Sequence, residues 1–285
     1  MRWLRRNVLS IYGALAIAYM LIPIVVIAVF SFNDPEGKFN FAWSGFTLDH
    51  WESAFSLPAL NEAFVTSLIL AALATLVATI LGTMIALALV RYEFHGRKPA
   101  NFLIVLPLAT PEVVIGAALL SMFVYFEVAR GFTTLLLAHI MFSISFVVII
   151  VRSRLIGFDR SIEEAARDLG AGAFETFRLV TLPLIMPGVL GGALLAFALS
   201  LDDFVISNFN AGREETFPLF IFGASQRGIP VEVNVIATIL FIVTVLAMIF
   251  VVRQQRRAED LAAVAPDKSE SAPGPGPGAL PAGSV

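Results

Sequence analysis

Six long apolar runs dominate the chain: Val8 to Phe30, Phe64 to Val90, Phe102 to Phe126, Thr133 to Val151, Gly188 to Phe209 and Val233 to Val252. An α-helix needs about 20 consecutive apolar residues to cross the hydrocarbon core of a bilayer. Only helices and closed barrels satisfy their backbone hydrogen bonds there. Barrel strands would show shorter segments with apolar and polar residues in alternation. Hydrophobic residues make up 58% of the 285 and charged residues 14%, with a mean hydropathy of +0.85. The expected fold class is therefore all-α: a polytopic membrane protein with six transmembrane helices. MRWLRRN followed by an apolar run has the look of a secretory leader, but the run is 23 residues long and no small-residue cleavage site follows. An uncleaved first span is expected.

The basic residues decide the orientation. Fifteen Lys and Arg lie before the first span, in the second and fourth connections and after the last span, against four (Lys38, Arg130, Arg213, Arg227) on the other face. By the positive-inside rule both termini are expected to be cytoplasmic. The outward face and outer halves of the spans carry 12 acids against those four bases, a balance that concentrates cations. Ordinary depletion of bases from outer loops would leave a similar excess. The organisation expected is a cytoplasmic stub, first span and external segment over 1–63, a five-helix core over 64–252 with a long cytoplasmic loop at 152–187, and a Pro/Gly/Ser-rich disordered tail over 253–285.

The cytoplasmic loop reads DRSIEEAARDLGAGAFETFRLVTLPLIMPG. Ser161 and Glu164 have capping-box spacing, and Ile162, Ala165, Ala166 and Leu169 follow as one apolar stripe. Glu163 and Arg167 are spaced for a surface pair on the opposite face. Gly170 stands where a left-handed residue would end the helix. A second short helix, Ala173 to Val180, brings Phe174 and Phe177 together before Leu182-Pro183 turns the chain back to the bilayer. The stripe suits either a partner's groove or the protein's own bundle.

Glu164-Ala165-Ala166, then Gly170, then Val180-x-Leu182-Pro183 resembles the EAA loop of binding-protein-dependent ABC importer permeases. The resemblance implies the type I ABC importer permease fold and a coupling helix seated in a cleft of a separate ATPase. Glu164 would pair with a basic side chain there, Gly170 would make the turn, and Phe174 and Phe177 would fill the cleft. The implied partners are a second permease subunit, two ATPase subunits, an external substrate-binding protein and membrane lipid. Nucleic acid is not among them. ALSLDDFVISNFNAG, FPLFIFGASQRGIPVEVNVIATI and LPLATPEVVIGAALL are further similar to the second permease of spermidine/putrescine importers, which implies a polyamine substrate. Trp51 matches an aromatic position associated with the substrate path in that family, and an interfacial anchor is its plainer role.

Three acids fall inside apolar runs. Counted from the cytoplasmic starts of their spans, Asp202 lies about 21 Å and Glu112 about 15 Å into the bilayer. An Asp at a helix centre costs about 2.5 to 3.5 kcal/mol on insertion scales, so such residues face a bundle interior or a wet path. Pairing with a base, burial as a protonated donor, and attraction of a cationic solute are the three alternatives. No Lys or Arg lies within the spans except at their ends, which favours the last. Adjacent residues on a helix point about 100° apart, so either one of Asp202 and Asp203 is structural or the helix is broken. Trp51, Tyr125, Phe126 and Phe204 are candidate walls for a linear cation with methylene spacers.

Enzymatic readings have little support. There is no Cys, and His50, His95 and His139 form no zinc motif. No nucleophile elbow or P-loop occurs, so no cofactor is expected and ATP hydrolysis belongs to another subunit. His139 reads as a satisfied packing residue. An ABC permease for another small solute, or a secondary cation transporter or channel working through the same acids, are the competing functions.

Overall fold

The computed structural model describes residues 2–157 and 159–264. In order the helices are α1 Arg2–Phe30, α2 Asp49–Glu52, α3 Pro58–Arg91, α4 Arg97–Ala109, α5 Glu112–Tyr125, α6 Phe132–Ile156, α7 Ser161–Asp168, α8 Ala173–Thr176, a π-turn Phe177–Thr181, α9 Leu182–Asp202, α10 Val205–Asn210, α11 Phe217–Arg227 and α12 Val231–Val264. An isolated antiparallel bridge joins Asn33 and Phe46. Two units result: residues up to Val29 with those from Asn234 onward, and Phe30–Val233. In the first, α12 runs on to Val264, beyond the expected end of the sixth span at Val252. The rest of the expected tail, 265–285, lies outside the described residues.

The second unit is built on α3, α6 and α9. Lipid tails are as apolar as leucine, so helices in a bilayer associate through close packing of small residues rather than through exclusion from water. On α3, Leu70, Ala74, Ala78, Gly82 and Ala86 recur every four residues and are buried. A Cβ at Gly82 would lie 2.8 Å from Val147 of α6, and one at Gly188 of α9 would lie 2.9 Å from Arg154 Cβ. Ala78, Ala86, Val147, Val151, Ile185 and Ala196 lie in the resulting core.

Four described helices are long and apolar enough to cross a membrane: Val8–Phe30, Pro58–Arg91, Phe132–Ile156 and Ala173–Asp202. Two expected spans are not continuous. The third breaks between α4 and α5, which meet at 114°. Counted as one span, that pair makes a fifth, and Val231–Leu246 is a shorter apolar stretch. The break has a local cause. A residue before proline is disfavoured in the α region, and Thr110 is extended (φ −94°, ψ 131°) ahead of Pro111. The fifth span ends at Asp202 rather than Phe209, and Val205–Asn210 forms the separate α10.

The connection between α1 and α3 is ordered by asparagine amides. Asn33 Nδ2 donates to Asn40 Oδ1 (2.6 Å) and the Ala42 carbonyl (2.8 Å), while Asn40 Nδ2 donates to the Phe30 carbonyl (2.9 Å). From there α3 starts at Pro58, six residues ahead of the expected Phe64, with the proline in its first turn, where its missing N–H costs no bond.

Candidate functional site

The two helix breaks meet at the acids. Asp203 leaves the helix with φ −67° and ψ 119°. Its carboxylate accepts the backbone N–H groups of Ile206 (3.2 Å) and Ser207 (2.8 Å), the otherwise unbonded donors at the start of α10. Behind it stands His139 of α6, buried, with Nε2 3.5 Å from Asp203 Oδ2. The imidazole is satisfied on both sides, with Nδ1 2.7 Å from Ser200 Oγ and Nε2 3.0 Å from Ser207 Oγ. His139 is the packing residue expected, and it is also the partner of Asp203. A search of the apolar runs for Lys and Arg partners missed it, because imidazole carries no permanent charge.

Packing of α10 on α5 brings the third acid in. Asn210 Nδ2 donates to the Gly116 carbonyl (3.4 Å) and to the Ile206 carbonyl (2.9 Å). A Cβ at Gly116 would lie 2.8 Å from the Phe209 ring, so glycine permits the approach. Glu112 opens α5 one turn before Gly116 and is exposed, and Asp203 lies three residues before Ile206, whose Cα faces Gly116. The three acids, from two expected spans, form one group at the two helix breaks. Asp203 is buried within it, whereas Asp202 is exposed. Since Asp202 is the last residue of α9, its charge adds to the negative end of the helix dipole, an arrangement that favours a cation.

The expected aromatic walls are spread more widely. Phe204 follows Asp203 in the chain and leans on Phe222, ring centres 4.7 Å apart. Tyr125 and Phe126 meet edge to face at 5.1 Å at the far end of α5. Trp51 lies in α2, stacked on Phe32 at 5.0 Å, with its indole Nε1 buried.

At the other end, the loop departs from its sequence reading in three ways. No Ser161–Glu164 capping box forms; Ser161 is already helical, and its N–H donates to Asp159 Oδ1 (3.0 Å) instead. That backbone bond, with a second from the Ser161 hydroxyl, holds the Asp159 carboxyl below its usual range. Glu163 does not pair with Arg167 across an exposed face. It is 6% exposed, pairs with Arg91 at the end of α3 and accepts the Thr181 hydroxyl. Nor does Leu182-Pro183 begin a new direction. The chain runs helically from Ala173 to Asp202, and the π-turn absorbs the backbone donor that Pro183 lacks.

The expected end of the coupling helix is present. Gly170 has φ +91°, its N–H donates to the Arg167 carbonyl (2.9 Å), and the Ala171 N–H donates to the Ala166 carbonyl (3.1 Å), closing a Schellman motif. The apolar stripe faces away from the bundle. Ile162, Leu169 and Phe174 are 47%, 90% and 72% exposed. Glu164 and Ala165 are exposed as well, while Ala166, Phe177 and Leu182 are half-buried and Pro183 is exposed. Among the described residues no group of three or more His, Cys, Asp or Glu could hold a metal ion.

A helical core with broken spans, acids at the breaks and a short helix with an exposed apolar stripe is an architecture suited to a transport permease. Residues 78–259 match the family described as binding-protein-dependent transport system inner membrane component, and the chain belongs to that family. It is 38% identical over 228 residues to the spermidine/putrescine transport system permease protein PotC of Haemophilus influenzae, covering 80% of this chain and 88% of that one. To the putrescine transport system permease protein PotI of Escherichia coli K12 it is 38% identical over 234 residues, covering 79% and 83%. Its fold matches a chain of a bacterial ABC transporter involved in the import of the acidic polysaccharide alginate, with TM-score 0.64 at 17% identity over 90% of this chain and 98% of that one. An amino acid ABC transporter matches with TM-score 0.55 at 21% identity, over 75% and 100%.

Proposed function

We propose that this chain is one transmembrane subunit of an ATP-driven importer of spermidine or putrescine. It forms half of the pathway beside a second permease, takes substrate from an external binding protein and docks cytoplasmic ATPases through Glu164 to Pro183. The observation that carries the substrate class is the placement of Glu112, Asp202 and Asp203 at two helix breaks whose flanking helices pack together at Gly116. A linear polyamine offers ammonium groups to separate carboxylates and methylenes to aromatic surfaces. Phe204 lies beside the acids in the chain, and Trp51 belongs to the external entrance. The relatives named for spermidine and putrescine transport support the same reading.

Six spans are reached when α4 with α5 counts as one bent span and α12 as another, which puts both termini in the cytoplasm. Reporter fusions after Arg257 or between Arg91 and Pro99 that read external would sink this orientation. In alternating access, ATP-driven closure reorients the helix core around the acids. The test of function is uptake of labelled spermidine and putrescine into vesicles holding the assembled transporter, with ATP. Uptake competed by excess polyamine and absent without ATP is expected. Uptake indifferent to polyamine overturns the substrate class, and uptake that proceeds without ATP favours a secondary transporter.

A further inference from the structure

The coupling helix α7 presents its apolar residues outward, so something other than apolar packing must fix it to the core. Glu163 is the buried residue of that helix. It reaches both of the core helices that end nearby: Arg91, the last residue of α3, pairs with its Oε1, and Thr181, in the π-turn that leads into α9, donates its hydroxyl to the same oxygen. Thr181 is completely buried. A second fastening lies one turn back, where the Arg160 guanidinium donates to the Val90 carbonyl at 3.1 Å. Arg91, Tyr92, Arg160, Glu163, Glu164 and Arg167 line a polar cavity of about 220 Å³ beside these groups.

We infer that Glu163, Arg91 and Thr181 form the joint through which displacement of the coupling helix is passed to α3 and α9. Glu163 is thus a positioning residue, distinct from Glu164, which faces a partner. The inference rests on the reading that a separate ATPase drives transport. A buried charge pair suits a joint because removal of one member leaves the other uncompensated, so the two move together or not at all. A charge-assisted hydrogen bond to Thr181 sets the direction of that movement as well.

The test uses the assembled transporter in vesicles, comparing solute moved per ATP hydrolysed for the native protein, Glu163→Gln, Arg91→Ala, Thr181→Val and the double variant Glu163→Gln/Arg91→Ala. ATP-dependent uptake by the native protein is the control; if that is missing, the ATP-driven reading fails rather than the joint. The expected result is retained ATPase association and hydrolysis, with transport per ATP reduced about tenfold, a coupling of ordinary size. The double variant should be no worse than the worse single one, because its members act as one unit. An unchanged ratio in Glu163→Gln and Arg91→Ala overturns the inference. So does a loss of uptake that only tracks lost ATPase association or lost membrane abundance, which would make the cluster a docking or folding element.

Discussion

Two pairs of neighbouring acids divide their labour in the same way. In Glu163-Glu164 on α7 and in Asp202-Asp203 at the helix break, one carboxylate is buried and the other exposed. The buried members are held by different chemistry. Glu163 meets a guanidinium and a hydroxyl, whereas Asp203 meets two backbone N–H groups, with an imidazole behind them. A loop beside water can afford a full counter-charge. Within an apolar helix core, the freed donors at a helix start already supply partial positive charge where it is needed. In each pair the buried acid fixes the backbone that presents its exposed neighbour, Glu164 at the proposed docking face and Asp202 at the proposed cation path.

The sharpest way to break this comparison is at the exposed half of the loop. Gly170→Pro demands φ near −65° where the backbone has +91°, and Ala165→Trp covers the outward face. Either change should abolish ATPase association and uptake while the protein still reaches the membrane, read by co-purification and membrane abundance. Full ATPase binding by both variants would mean that α7 is not the docking face.

A smaller loss is expected at the exposed acids. Asp202→Asn and Glu112→Gln keep shape and remove charge. Polyamine uptake should fall about tenfold for each, the effect of about 1.4 kcal/mol of lost cation stabilisation, with membrane abundance unchanged. Normal uptake in a variant carrying both changes and Asp203→Asn would leave the carboxylates with no part in cation passage.

The least effect on transport per folded molecule is expected at the buried partner. Asp203→Ala leaves the donors of Ile206 and Ser207 unbonded and His139 without its acid, a cost of about 1 to 3 kcal/mol. It should appear as a lower melting temperature in detergent and lower abundance, with His139→Ala following in the same direction. An Asp203→Asn variant of normal stability that loses uptake as Asp202→Asn does would give both acids the same role and end the distinction.

Much of this was legible in the chain. The apolar runs required membrane helices. Gly170 read correctly because a left-handed residue after a helix has a local signature. The breaks were partly legible too: Thr110-Pro111-Glu112 has a helix stop and start, and SNFNAG after Asp203 is rich in turn residues. Counting apolar residues overrode the first signal. The second allowed the break without saying which acid would turn inward.

The sequence by itself determined what is set by composition and local backbone preference: helices, their membrane setting, the turn at Gly170 and the presence of acids in apolar surroundings. Only the tertiary structure decided how the acids are used. Glu163 looks like the partner of Arg167 four residues away and pairs instead with Arg91, 72 residues distant. Asp203 is joined to His139 from another helix, and the helices that Glu112 opens and Asp203 precedes approach where Gly116 admits Ile206 and Phe209. Local spacing says which side chains share a helix face. It carries no information on which helix ends arrive beside them, and a buried charge is governed by whatever arrives there.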